Sequence, residues 1–225
     1  MKSYKAILFD LDDTLLNRDQ AVDQMFSIIY EECYENVPPL VENKMLQRFK
    51  EHDLKGYGNG DKEQVLKPFF DEFPRKFPLQ NNNDIQVFWD YHFPRCFSIN
   101  QNTIDTINNI KKQVKVGIIT NGSTQRQKAK INNTNLNQWF ETIIISEGVG
   151  FSKPDKRIFE LALNKLNVQP EDTLFVGDHI EKDISGCQNA GINGVWLNPH
   201  KVENNTEIKP YAEVDSFDRL LSYIQ

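Results

Sequence analysis

The chain reads as an α/β protein: a doubly wound parallel sheet with helices on both faces, interrupted by an all-helical insertion. Three observations carry this. From Thr103 onward, apolar strands alternate with amphipathic helices, the signature of successive βαβ units. One further strand, Ala6-Ile7-Leu8-Phe9, stands near the start as an uninterrupted apolar run, suited to burial on both faces. Between the two, from Asn17 to about Arg95, no strand pattern is convincing and the apolar spacing is helical.

Taken in order, the first strand breaks off in Asp10, Leu11, Asp12, Asp13 and Thr14. Val22, Met25, Phe26, Ile29 and Cys33 then share one helical face, predicting a helix over 19–35 that Pro38-Pro39 ends. Further helices are expected over 41–51, 64–73 and 85–93, with Pro68 kinking or shortening the second. The glycine-rich run from Lys55 to Gly60 forces a turn. Phe69, Phe70, Phe73, Phe77, Phe88, Trp89, Tyr91, Phe93 and Phe97 crowd this region, predicting a small aromatic helical core. An insertion in this place can also serve as a lid. Asn81-Asn82-Asn83 reads as a short polar link.

The alternating region follows. A helix over 103–112 turns Ile104, Ile107 and Ile110 inward, and a strand over 114–119 ends in Thr120-Asn121-Gly122-Ser123. A helix from about Thr124 leads to a strand over 142–145. Pro154 suits the first turn of the next helix, whose buried face is Ile158, Leu161, Ala162 and Leu166. A strand over 174–176 ends in Gly177-Asp178, followed by a helix over 183–190, a strand over 194–197, a polar surface loop over 198–210 and a closing helix over 216–224. The division is therefore 1–17 with 96–225 as the α/β core and 18–95 as the helical insertion.

Composition excludes several functions. With 225 residues, a net charge of −6 and a pI near 5.3, nothing favours broad electrostatic binding to nucleic acid or an acidic membrane. No apolar run is long enough to span a bilayer, and the start runs directly into a strand, so neither a membrane anchor nor a signal peptide is expected. Cys33, Cys96 and Cys187 are far apart and lack Cys-x-x-Cys spacing, which fits reduced structural thiols in a cytoplasmic protein rather than a zinc site.

Chemistry gathers where strands end. In an open α/β sheet ligands bind beyond the carboxyl ends of the strands. Carboxylates at the mouth of an apolar strand are costly unless they hold a cation or meet solvent. Asp10 and Asp12 project to one side if the backbone is extended; one can attack an electrophile while the other moves a proton, with a divalent metal between them. The alternative is a plain polar turn. The strand over 114–119 presents Thr120 beside Gly122, where backbone N–H groups approach a phosphate oxygen. Lys153 precedes a helix, and Asp178 and Asp183 follow the fourth strand. Hard carboxylate oxygens of this kind suit Mg²⁺. Singly, Thr-Asn-Gly is an ordinary turn, Lys-Pro an ordinary surface pair, and Gly-Asp before an acidic helix start an ordinary cap. His179, beside its turn, has a solvent-facing reading. The weight lies in all four pieces occurring in order at strand ends and helix starts.

That ordered set resembles the haloacid dehalogenase (HAD) superfamily: an apolar strand with Asp-x-Asp-x-Thr (Asp10, Asp12, Thr14), then Thr120, Lys153, and Asp178 with Asp183. The likeness covers the first strand and nearly everything over 103–197. It implies a Rossmann-like core, a helical cap in the insertion, and Mg²⁺-dependent phosphoryl transfer. Carried over residue by residue, Asp10 is the nucleophile that becomes an aspartyl-phosphate. Asp12 protonates the leaving oxygen and then activates water. Thr120, with the turn at Asn121 and Gly122, holds phosphoryl oxygens, Thr14 belongs to the same substrate-binding set, and Lys153 neutralises charge. Mg²⁺ is held by Asp10, the Asp12 backbone carbonyl and Asp178, with Asp183 assisting through water or orienting Lys153. True dehalogenases of the superfamily lack the second Asp, so Asp12 disfavours dehalogenation. The implied activity is hydrolysis of small phosphate monoesters, with nucleoside 5′-monophosphates or sugar phosphates as candidate substrates; the run from Thr120 through VGDHIEKDI resembles most the members acting on the former. The phosphomutase alternative uses the same core. A receiver-like signalling domain fits poorly, because its paired acids and phosphorylated Asp sit on different strands, and a binding-only protein would show a broken acidic set.

Overall fold

A computed structural model describes residues 4–58, 60–79 and 84–223. Asn59 of the glycine-rich turn, the Asn81–Asn83 link and Ile224 lie outside the described residues. The chain divides into two compact units, Met1–Asn17 with Ile99–Gln225, and Arg18–Ser98.

The first unit is built on a six-stranded sheet among the described residues: β1 (Ala6–Phe9), β2 (Lys115–Thr120), β3 (Thr142–Ile145), β4 (Thr173–Gly177), β5 (Asn193–Leu197) and β6 (Ala212–Val214). All neighbours are parallel in the order β3-β2-β1-β4-β5-β6. This is the doubly wound arrangement whose switch point lies between β1 and β4. The register pairs Phe9 with both Ile118 and Val176, so the ends of three strands open at one level. Every residue of β1 is buried. Ala6 and Leu8 join Phe159, Ala162, Leu163 and Phe175 in one core cluster, while Phe9 packs against Phe140 and Phe217 with centroids 5.9 and 5.6 Å away. Period-two alternation thus fills two cores, each fully buried aromatic contributing about 1.5–3 kcal/mol.

The second unit packs α1 (Arg18–Cys33), α2 (Pro39–Lys55), α3 (Glu63–Glu72) and α4 (Ile85–His92). The face of α1 expected inside is buried at all five positions. Phe49 of α2 is the hub, with Phe26, Phe69 and Trp89 at 5.8, 5.4 and 6.3 Å. Phe77 and Tyr91, expected in this core, are instead exposed. Pro68 sits inside α3 without ending it: Gln64, whose carbonyl would have received the missing N–H, is exposed and can bond to water. Asp53, nearly fully buried, is held by Arg18 through two contacts of 2.7 and 2.8 Å, and the guanidinium lies 4.7 Å from the Tyr57 ring.

Helices α5 (Gln101–Lys111), α6 (Thr124–Asn133), α7 (Ser146–Val149), α8 (Lys156–Leu166) and α9 (Gly186–Asn189) complete the first unit. Several expectations need correction. In α5 the buried face is Thr103, Thr106, Ile107 and Ile110, and Ile104 is only half-buried. In α8 the buried face is Ile158, Phe159, Ala162, Leu163 and Leu166, and Leu161 packs against it half-buried. Pro154 is not in the first turn of α8, because Asp155 accepts from Arg157 N and sets the start after it. The helix expected over 183–190 is a π-helical turn, Ile180–Ser185, followed by the short α9. The closing helix is a 3₁₀ segment, Phe217–Tyr223, and β6 was not expected at all.

Candidate active site

The sheet sorts the acidic residues by strand. Asp10 directly follows β1 and its N–H still donates to Val176 O at 2.9 Å, so β4 fixes its backbone. Past it the chain turns sharply: Leu15 N and Leu16 N both donate to Leu11 O, and Asp13 takes a positive φ of 58°. Asp12 itself bridges to Leu16, and the two carboxylates take different cationic partners. Asp10 goes to Lys153, whose ammonium lies 2.5 Å from Asp10 Oδ1 and 2.7 Å from Asp183 Oδ1. Asp12 goes to Lys130 Nζ, at 2.7 and 2.8 Å, and accepts from Gln127 Nε2 at 3.0 Å.

Lys153 is placed by its neighbour across the sheet. Asn121 Nδ2 donates to Lys153 O and Asn121 Oδ1 accepts from Lys153 N, both at 2.9 Å, so the turn after β2 grips the backbone carrying the lysine. Gly122 holds that turn with a φ of 139°, which a side chain would strain, and its N–H donates to Ser146 Oγ at 3.0 Å. Asp183 sits in the π-turn directly over Gly177, where any Cβ would collide with its carboxylate. Its Oδ2 accepts from His179 N at 3.0 Å. His179 is turned to structural use: its Nδ1 accepts from Glu181 N and Lys182 N.

Asp10, Asp178 and Asp183 each present an oxygen within 4.8 Å of the others. Among the described residues, three carboxylates face one ammonium. Burial, then Asp183 and Asp13, raise Asp178 to about 7. Burial also pushes Asp10 up, against the pull of Lys153. Lys153 is held above its usual range because Asp10 and Asp183 outweigh the burial that would lower it. Asp183 Oδ1 pairs with Lys153 in charge but is buried without a well-aligned hydrogen bond. An unmatched buried carboxylate oxygen, an all-oxygen donor set and an excess of negative charge together fit a hard divalent cation.

The structure brings Asp10, Lys153, Asp178 and Asp183 into one cluster, with Thr14 Oγ1 donating to Asp178 Oδ1 at 3.4 Å. The Asp12 carboxylate is not part of that cluster of three. Thr120 is buried, and its Oγ1 accepts from Gln127 Nε2 at 2.6 Å. Sequence reasoning missed Gln127 and Lys130. The available signal was their spacing with Ile131, which puts two polar residues on the inward face of α6.

Residues 7–197 match the haloacid dehalogenase-like hydrolase family. The chain is 26% identical to the HAD-hydrolase YfnB of Bacillus subtilis, over 98% of this chain and 95% of that one. It is 30% identical to the glyceraldehyde 3-phosphate phosphatase of Pyrococcus furiosus, over 95% and 89%. It is 40% identical to the pyrimidine 5′-nucleotidase YjjG of Escherichia coli, over 52% of each chain. The crystal structure of YfnB bound to magnesium superposes with a TM-score of 0.78 at 23% identity, covering 99% of both chains. The L-2-haloacid dehalogenase of Xanthobacter autotrophicus shares the fold too, with a TM-score of 0.70 at 16% identity over 98% of each chain. No helix among the described residues is long and apolar enough to cross a membrane. The chain belongs to the haloacid dehalogenase-like hydrolase family.

Proposed function

We propose that this HAD-type phosphatase hydrolyses small phosphate monoesters through an aspartyl-phosphate on Asp10. The observation that carries the reading is Lys153 Nζ lying between Asp10 and Asp183, with Asp178 completing an oxygen cluster at the strand ends. A buried nucleophile beside a fixed ammonium is what phosphoryl transfer asks of a protein: position and charge neutralisation.

An Asp10 oxygen attacks phosphorus, the bond to the leaving oxygen breaks, and Asp12 gives that oxygen its proton. Water then attacks the same phosphorus and Asp12 takes up its proton. The Asp10–phosphorus bond breaks with its electron pair returning to the carboxylate. Thr120 and the backbone of Asn121 and Gly122 hold the phosphoryl oxygens, and Lys153 holds charge on Asp10. Mg²⁺ would be held by Asp10, Asp178 and the Asp12 backbone carbonyl, with Asp183 assisting through water and Thr14 supporting Asp178. When bound, it neutralises and orients the transferring group.

The assigned division is 1–17 with 96–225 as the catalytic core and 18–95 as the cap that selects substrate. Nucleoside 5′-monophosphates and sugar phosphates are the favoured classes, in line with the named activities of two relatives. Asp12 favours phosphatase over dehalogenase chemistry, since it supplies the proton transfers that hydrolysis of a monoester needs. The test is phosphate release from nucleotides, sugar phosphates and small organic phosphates, with Mg²⁺ and with EDTA. Mg²⁺-dependent release from at least one class supports the reading; chloride release from a 2-haloacid without phosphate release from any ester overturns it.

A further inference from the structure

We propose that Lys130 and Gln127 of α6 are positioning residues that clamp the Asp12 carboxylate for the second half of the reaction, the hydrolysis of the phosphoryl group from Asp10. This rests on the roles proposed above for Asp10 and Asp12. Lys130 Nζ reaches both oxygens of Asp12, at 2.7 and 2.8 Å, and Gln127 Nε2 reaches one of them at 3.0 Å. The same Gln127 amide donates to Thr120 Oγ1 at 2.6 Å. One side chain therefore ties the proposed proton carrier to the proposed phosphoryl-binding hydroxyl.

The clamp is a built feature rather than a surface pairing. Gln127 and Lys130 are 2% and 6% exposed, and a buried ammonium is costly unless it is matched. They stand one helical turn apart on α6. The start of that helix is fixed directly behind the Thr120–Gly122 turn: Ser123 Oγ accepts from Arg126 N at 3.2 Å, and Glu147 Oε2 accepts from Thr124 N at 2.7 Å. Donors on both oxygens address the carboxylate form, the form that takes a proton from water. The first half-reaction, in which Asp12 gives up a proton, draws no support from them. The clamp therefore acts on phosphoenzyme breakdown.

The experiment is rapid-quench kinetics with Mg²⁺ on p-nitrophenyl phosphate and phenyl phosphate. In Lys130→Met, kcat falls about tenfold to a hundredfold, within the range that proton transfer contributes. Phosphoenzyme accumulates, KM falls with kcat, and kcat becomes equal for the two esters because breakdown of their common intermediate limits both. Lys130→Arg restores part of the rate. In an Asp12→Asn background, Lys130→Met slows breakdown no further. Should Lys130→Met not fold, Gln127→Met carries the same signature. Unchanged kcat, a loss without phosphoenzyme accumulation, or additive slowing in the Asp12→Asn background overturns the clamp. A wild-type enzyme that turns over without any phosphoenzyme removes the Asp10 reading and the clamp with it. Wild-type phosphoenzyme whose breakdown is untouched by Lys130→Met removes the clamp alone.

Discussion

The two units of this chain are stabilised by similar means and differ in what they hold at their polar positions. In the helical unit, the buried pair of Asp53 and Arg18 is matched one charge to one. In the α/β unit, Asp10, Asp178 and Asp183 share the single ammonium of Lys153. The first arrangement is complete in itself. The second is short of positive charge, and that deficit fits a cation.

The sharpest break of this contrast is Asp10→Asn. It should lower phosphate release about a thousandfold or more and leave circular dichroism unchanged; retained turnover would place the nucleophile elsewhere. Chelation comes next. EDTA should abolish activity and Mg²⁺ restore it, while thermal stability of the helical unit, followed by its own hydrogen-exchange protection, responds little. Phe69→Ala acts on the other side. Removing a fully buried ring that contacts Phe49 and Phe26 should cost about 3–5 kcal/mol in chemical denaturation, and Mg²⁺ binding to the remaining folded protein should persist.

Protons make a smaller, signed prediction. Asp178 is raised to about 7 in the folded protein, from an ordinary value of 3.8. The folded state therefore binds more protons than the unfolded chain between these values, and this contribution to stability is lost as pH rises through the interval. Metal-free protein should show a falling midpoint over that window, and added Mg²⁺ should reverse the trend by replacing the proton. A flat profile in both conditions would contradict the deficit. Smallest of all, Tyr91→Ala at an exposed position should change stability by no more than about 0.5 kcal/mol.

What the sequence revealed follows the same contrast. Strand ends are legible because a short apolar run that stops in charge has few other meanings, which points to Asp10, Thr120 and Asp178; Lys153 and Asp183 are read from the helix starts that follow. Asp12 is legible from the same strand end as Asp10, but its partner is not: its carboxylate meets Lys130. Lys130 and Gln127 carry only a faint signal, their spacing with Ile131, because a polar residue on a helix is read as solvated until something across the fold accepts its hydrogen bonds. Strand β6 escaped because three residues with Glu213 in the middle carry too little apolar pattern. The π-turn at Ile180–Ser185 looks like any helix start in sequence, yet it carries the Asp183 carboxylate that lies against Gly177. In the helical unit, periodicity located the core, yet crowding alone could not tell buried Phe69 from exposed Phe77.

The most direct measurement is to quench the Mg²⁺-loaded enzyme during turnover of a phosphate monoester and locate the phosphoryl group by peptide mass spectrometry. The account predicts it on Asp10, within the segment running from Tyr4 to Leu16. Phosphate released with no phosphorylated residue, or a phosphoryl group on Asp12, Asp178 or Asp183, would contradict it.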